Sequence, residues 1–329
     1  MSVVTCGVCA HACRFAADAS DFHGLCHTRR RRGAAIESLV YGRIVAEHVD
    51  PIEKKPLFHV SPASLTYSIA TVGCNFRCRH CQNSGISQVD EALSLPRSGR
   101  RRSPDEIVAA ALACGCRSIS YTYVEPTVFI EFALDCCRAA KEAGLGNIFV
   151  SNGFMSAASA RLLATELTAI NIDLKSFSDT FYRDICGGRL QPVLDNIAYF
   201  CQSGVWLEVT TLLIPGLNDS QAEIMAMADF LAALNPDIPW HLSGFHPAWR
   251  LRHIPPTPAE TLTAARRLAL ARGLRHVYTG NRPGAAGERT ICPGCGTALI
   301  RRDGYRVIED ALTDGTCPRC RASIPGLWG

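Results

Sequence analysis

The chain has 329 residues, 47% of them hydrophobic, and a formal net charge of +4. That composition supports a substantial buried core in about two domains and excludes a disordered or strongly basic protein. No run approaches the roughly 18 apolar residues a membrane-spanning helix needs, and no apolar signal-peptide core precedes Cys6, so a cytoplasmic protein is expected.

The first motif is a set of four cysteines, Cys6, Cys9, Cys13 and Cys26, with His11, His23 and His27 beside them. The chain holds 17 cysteines in short-spaced groups, which points to metal ligation in a reducing compartment rather than to disulfides. The N-terminal four admit zinc or an auxiliary iron–sulfur cluster. Arg29 to Arg32 follow, and without interleaved aromatics a solvated loop is favoured over a nucleic-acid edge. Lys54 and Lys55, in the stretch from Asp50 to His59, either close over a site or lie in a solvated loop.

From about residue 62 to 282, β-rich apolar runs alternate with helical segments, the pattern of repeated βα units and a mainly parallel sheet. The predicted strands are Leu65–Ala70, Ser118–Tyr123, Asn147–Ser151, Ala169–Leu174, Trp206–Leu213, Trp240–Phe245 and His276–Thr279. Ser103-Pro104-Asp105-Glu106 and Thr257-Pro258-Ala259-Glu260 each offer a hydroxyl N-cap, a first-turn proline and a glutamate three residues on. Further helices are predicted after Pro126, Ser156, Gln191 and Asp219. About six units are too few to close an eightfold barrel, so the expected fold is α/β, a partial (β/α)6 TIM-like barrel with its chemistry at the C-terminal strand ends.

Cys74, Cys78 and Cys81 lie in TVGCNFRCRHCQN, directly after the first of these strands. This C-x3-C-x2-C loop departs from both four-cysteine ferredoxin spacing and paired zinc knuckles. Three thiolates can hold three irons of a [4Fe–4S] cube and leave the fourth open. Phe76 is expected to pack over the cube, and His80 is either a donor behind the ligands or a plain loop residue. Asp173 and Lys175 share one face of their strand, with Asn171, because side chains repeat every two residues. Opposite charges in so apolar a strand either bind a ligand or pair structurally. Glu125, before Pro126, contacts a ligand or caps a helix, and its place at a strand end favours the ligand.

At the C-terminus, Cys292-Pro293-Gly294-Cys295 and Cys317-Pro318-Arg319-Cys320 are two knuckles separated by 21 residues, close to zinc-ribbon spacing. Zinc is favoured there over rubredoxin-type iron. The predicted organisation is a cysteine-rich extension over residues 1–61, a core over 62–284 and a zinc-ribbon-like module over 285–329. The remaining cysteines are expected to be buried small hydrophobes.

The triplet and the segments around it resemble radical SAM enzymes, and the core is similar in order to the pyruvate formate-lyase activating enzymes. The resembling segments are Glu125-Pro126, Ser151-Asn152-Gly153-Phe154, Asp173-Leu174-Lys175, Ile214-Pro215-Gly216 and Gly244-Phe245-His246-Pro247. The glycines of the family's G-G-E-P turn are absent, and Val150 stands where the activating enzymes carry an aspartate. Over nearly the whole chain, Asp50 to His59, Thr122 to Pro126, Asn171 to Lys175 and Leu213 to Asp219 resemble the radical SAM proteins of the AmmeMemoRadiSam system, with Val124 for the usual asparagine. The resemblance implies reductive cleavage of S-adenosylmethionine (SAM) at a [4Fe–4S] cluster, hydrogen abstraction from an unidentified substrate, and SAM contacts at Glu125, Asn152, Asp173, Lys175 and His246. It also implies a reductant such as flavodoxin or ferredoxin and association with Memo-like and AMMECR-domain proteins; the arginine tract, without aromatics, disfavours a nucleic-acid partner, and hydropathy gives no membrane partner. The alternatives are a glycyl-radical-enzyme activase, radical modification of RNA, and a non-enzymatic zinc scaffold.

Overall fold

The computed structural model describes residues 3–16, 23–88, 99–282 and 286–329. Its central sheet has eight strands, β1 (Ala46–Pro51), β2 (Leu65–Ala70), β3 (Ser118–Tyr121), β4 (Gly146–Ser151), β5 (Ala169–Asp173), β6 (Trp206–Leu213), β7 (Trp240–Gly244) and β8 (Val277–Gly280). From β2 to β8 the neighbours are parallel and follow chain order, whereas β1 pairs antiparallel on the outer edge of β2. The six expected units are present, β8 supplies a seventh parallel strand, and the last strand of the N-terminal extension joins the barrel sheet.

Alternation along the strands sorts the residues into two faces. In β5, Ile170 and Ile172 join the main apolar core, while Asn171 and Asp173 point inward, in register with Glu208 and Thr210 of β6. The outer faces are covered by α1 (Pro104–Ala113), α2 (Ile130–Glu142), α3 (Ala157–Ala164), α4 (Gln191–Gln202), α5 (Gln221–Leu234) and α6 (Ala259–Ala271). Helix α1 has the expected capping box: Ser103 Oγ accepts from the Glu106 N–H, and the Glu106 carboxylate accepts from the Ser103 N–H at 2.7 Å. The second predicted cap does not form. Helix α6 starts at Ala259 behind Pro258, and the buried Thr257 instead accepts from the Phe245 N–H at 2.8 Å and donates to the Leu213 carbonyl at 2.6 Å. Tying two strand ends together satisfies a buried hydroxyl better than an exposed cap would.

The segment after β1 enters the bottom of the barrel and plugs it. Glu208, fully buried, accepts from the N–H groups of Phe58 (3.0 Å) and His59 (2.8 Å), from Trp206 Nε1 (3.1 Å), and bonds His241 Nε2 (2.6 Å). Asn171 Nδ2 donates to the Pro56 carbonyl at 2.8 Å. Burial alone would neutralise such a carboxylate, but these donors hold Glu208 below its ordinary pKa.

Beneath this plug sits a three-stranded antiparallel sheet, β9 (Thr290–Ile291), β10 (Ala298–Asp303) and β11 (Arg306–Asp310). Arg302 Nη2 donates to the Phe58 carbonyl at 2.7 Å, its guanidinium lies 4.1 Å from the Phe58 ring centroid, and the Leu327 N–H donates to the His59 carbonyl at 2.7 Å. The predicted boundary at 284/285 lies outside the described residues. The arginine tract is not a solvated loop but a strand paired with Ala35–Ser38. Arg29 is buried and bidentate on Glu131, Arg30 and Arg32 meet Glu37, and Arg31 donates to the carbonyls of Gly33 and Phe15. Among the described residues no helix is long and apolar enough to cross a membrane.

Candidate active site

The loop carrying Cys74, Cys78 and Cys81 leaves β2 at the C-terminal edge of the sheet and is clamped from two sides. A single π-helical turn, Tyr182–Cys186, offers the carbonyls of Cys186 and Ile185, which accept from the N–H groups of Arg77 (2.6 Å) and Arg79 (2.9 Å). On the other side, Asn152 Nδ2 donates to Asn75 Oδ1 at 2.7 Å, and His11 of the N-terminal extension bonds the Asn75 carbonyl at 2.7 Å. Phe76 is buried against Phe154 and Tyr182, as expected of an apolar cover. A Cβ on Gly188 would stand 2.3 Å from the Phe76 ring, and one on Gly73, at φ +91°, would stand 2.3 Å from Thr28 and 2.8 Å from the Cys26 carbonyl. Both contacts require glycine.

The three thiols face one cavity of about 480 Å³, inside the roughly 300–1,000 Å³ usual for small-molecule sites. Burial raises the thiol pKa values of Cys74 and Cys81, and contact with the Cys186 thiol together with burial raises Cys78. Three such sulfurs become thiolates when a bound cation compensates them, as an iron cluster does. Two further groups suit this role: the Phe76 N–H donates to Cys74 Sγ at 3.4 Å, and Ser87 Oγ lies 3.1 Å from Cys81 Sγ. Buried His80 also lines the cavity. Burial holds it neutral, down to about 3, and its Nδ1 has no partner.

Asp173 and Lys175 line the same cavity as an ion pair, Nζ to Oδ2 at 2.9 Å. Burial opposes the Lys175 charge, but the Asp173 carboxylate outweighs it and holds the ammonium well above its ordinary pKa. Asn152 also lines the cavity, although its side chain is engaged with Asn75 and with the Phe154 N–H.

Glu125 reaches the cavity with its carboxylate already bonded by four donors. Oε1 accepts from the Thr127 N–H (3.1 Å), the Thr127 hydroxyl and Ser151 Oγ (2.9 Å), and Oε2 accepts from the Asn152 N–H (2.7 Å). The side chain therefore serves as a helix cap and ties β4 to the turn after β3 while it lines the cavity. The backbone at Tyr123 (φ +65°) and Val124 is what that turn presents to the cavity.

His246 is not brought to the cavity. It is exposed, bonding the Asn281 carbonyl at 3.0 Å, while Asn281 and Ser243 line the cavity in its place. The alternatives left open for Lys55 are resolved by burial: it lines the cavity with 2% of its side chain exposed. Besides Ser243 and Asn281, the lining residues to which the sequence assigned no role include Ser87, Thr210 of β6 and Tyr305 at the β10–β11 turn. Thr210 had a signal, its two-residue spacing from Glu208 on an inward face. Tyr305 had none, because nothing local indicates that a C-terminal hairpin reaches the barrel.

The four C-terminal cysteines place their sulfurs within 4.8 Å of one another, Cys292 to Cys320 at 3.5 Å and Cys295 to Cys317 at 3.6 Å. Four ligands about 2.3 Å from one centre stand about 3.8 Å apart, so this set fits a single tetrahedral ion. Among the described residues the Cys74, Cys78 and Cys81 sulfurs do not form so compact a set, in keeping with three ligands on three separate irons. Cys6, Cys9, Cys13 and Cys26 line one small cavity of their own beside the cysteine loop.

Comparison with known proteins agrees with this geometry. Residues 68–230 match the family described as the radical SAM superfamily. An uncharacterized protein of Methanocaldococcus jannaschii is 41% identical over 98% of this chain and 95% of its own length. A second protein of that organism, named for glycyl-radical enzyme activation, is 27% identical over 57% of this chain and 71% of its own. The structure of SuiB from Streptococcus suis bound to S-adenosylmethionine superimposes with a TM-score of 0.50 at 14% identity, covering 74% of this chain and 56% of SuiB, a likeness of fold alone.

Proposed function

The chain belongs to the radical SAM superfamily, and from that premise we propose that it binds SAM in the barrel cavity and abstracts a hydrogen atom from a substrate held deeper in the same cavity. The observation that carries this reading is the convergence of Cys74, Cys78 and Cys81 with the Asp173–Lys175 pair on one cavity. Cys74, Cys78 and Cys81 would hold three irons of a [4Fe–4S] cluster. When bound, that cluster supplies the electron that splits SAM into methionine and a 5′-deoxyadenosyl radical.

The chain's own residues bind, orient and exclude water. Asp173, one-third exposed, offers a carboxylate acceptor, and Lys175 keeps its proton on Nζ and fixes that carboxylate in place. The strained turn at Tyr123 directs backbone groups at the cavity beneath the thiols. Phe76, Val124 and Leu212 form apolar wall, which limits the water that would quench a radical.

The test is anaerobic reconstitution followed by SAM and a reductant such as flavodoxin or ferredoxin, with and without Memo-like and AMMECR-domain proteins. The expected result is a reduced-cluster EPR signal that shifts on adding SAM, with release of 5′-deoxyadenosine. Changing Cys74, Cys78 and Cys81 together to alanine should abolish both while metal at the C-terminal cysteines remains. A SAM-sensitive signal in that variant would refute the ligand assignment, and wild-type protein containing zinc alone would refute the reading. The similarity to a protein named for glycyl-radical enzyme activation supports a second reading, a backbone glycine of a partner protein as substrate.

A further inference from the structure

We infer that the floor of the cavity is an anion subsite built from Lys55, Lys54 and Thr210, which takes a carboxylate or phosphate group of the substrate; this rests on the reading of the cavity as the reaction site. Lys55 Nζ lies 2.6 Å from Asp50 Oδ2, and Lys54 Nζ lies 2.8 Å from Asp50 Oδ1. The Tyr123 hydroxyl also donates to Oδ2. Two ammonium groups thus share one carboxylate; Lys54, 43% exposed, is also met by water, whereas Lys55, 2% exposed, has among the described residues only its half of Asp50 and the Tyr123 ring.

Among the described residues that line the cavity, the other two acids already have partners. Asp173 is engaged with Lys175, and Glu125 is enclosed by four donors. Glu208, below the floor, is bound by Phe58, His59, Trp206 and His241. A buried ammonium without full compensation is unfavourable. Burial accordingly pulls Lys55 down to about 8 in spite of Asp50. A substrate anion would supply the missing charge.

Thr210 gives an independent sign. It lines the cavity from the inward face of β6, in register with Asp173, and its buried Oγ1 has no hydrogen-bond partner. Buried hydroxyls are normally bonded, and an unspent one beside a ligand cavity is a group waiting for that ligand. A compact ammonium and a hydroxyl suit an oxyanion of either geometry. With the thiols at the mouth and the lysines at the floor, an anion held below leaves the rest of the substrate extending towards the thiols.

The test uses reconstituted holoenzyme saturated with SAM, titrated calorimetrically with inorganic phosphate and with acetate. Saturable binding of at least one is expected, and which binds more tightly identifies a phosphate or a carboxylate as the natural group. Lys55→Met and Thr210→Val should each weaken that binding about tenfold or more, the range for losing a hydrogen bond to a charged group. Thr210→Val removes a hydroxyl that bonds nothing in the protein, so it decides the matter if Lys55→Met fails to fold. Absence of saturable binding in the wild type, or binding in folded variants within about twofold of it, overturns the subsite. Wild-type SAM cleavage in the same preparation is read separately: intact cleavage without floor binding removes the subsite and leaves the family reaction standing.

Discussion

Asn152 and Asn75 bond side chain to side chain at 2.7 Å, fastening the end of β4 to the loop that carries Cys74 and Cys78. Both residues are buried, so the bond is made away from competing water. Asn152, expected to contact SAM, lines the cavity and also fastens the cysteine loop.

Asn152→Ala should therefore loosen the loop before it affects anything else. Leaving Asn75 Oδ1 without its donor costs about 1–3 kcal/mol locally. Iron and sulfide per chain should fall, and a chelator should strip the remaining cluster faster than in the wild type. Unchanged cluster retention with weaker SAM binding would return Asn152 to direct ligand contact.

The Asp173–Lys175 pair makes an asymmetric prediction. Lys175 has 15% of its side chain exposed and Asp173 has 34%, so the stranded partner differs in the two variants. Asp173→Ala leaves the more buried ammonium unpaired and should destabilise by about 3–5 kcal/mol, whereas Lys175→Ala leaves a carboxylate that water reaches and should cost less. Both should weaken SAM binding with iron content retained. Denaturant midpoints and SAM affinity check the order, and equal midpoints with unchanged affinity would leave the pair no role beyond the fold.

Cys317→Ser should remove the C-terminal metal and lower thermal stability while the barrel cluster still forms. Loosening of this module reaches the barrel floor, because Trp328 packs 5.0 Å from the His59 ring and Leu327 bonds the His59 backbone. Tryptophan emission should shift to the red as Trp328 leaves that contact, with the EPR signal preserved. Loss of SAM cleavage in folded variant protein would instead place the module on the electron path.

Lys55 titrates near 8 in the fold against an ordinary 10.5, because burial penalises its charge more than Asp50 restores it. Between those values the unfolded chain binds more protons than the fold, so this residue's contribution to stability rises with pH from about 8 to 10.5. Anion affinity runs the other way. Acetate, which does not itself titrate there, should bind progressively more weakly above about pH 8, approaching tenfold per pH unit. Lys54 shares Asp50 with Lys55; of the neighbours in contact, Asp50 is held low, against burial, by the two lysines and Tyr123 is pushed up by burial and by Asp50, so neither changes charge in this window. Acetate affinity that stays flat from about pH 7 to 9.5 would show that Lys55 does not bind it.

The parallel strands, the helix cap at Ser103, the cysteine loop after β2 and the two C-terminal knuckles were legible in the sequence because each rests on local rules. Two-residue alternation put Asp173 and Lys175 on one face, Ser103 to Glu106 encoded a cap completed within one turn, and the spacing of Cys74, Cys78 and Cys81 fixed three thiols on one short loop. Cys292, Cys295, Cys317 and Cys320 likewise declare a compact set by the spacing of their two knuckles alone. What the tertiary structure decided were the fates of groups whose partners lie far along the chain. Glu125 is closed off by Ser151 and Asn152, His246 turns outward to Asn281, and Arg29 is buried on Glu131 across 102 residues. Lys55 and Thr210 belong to the same class. Whether a polar side chain in a barrel is spent or free depends on which distant strand supplies its partner, and local periodicity carries no record of that pairing.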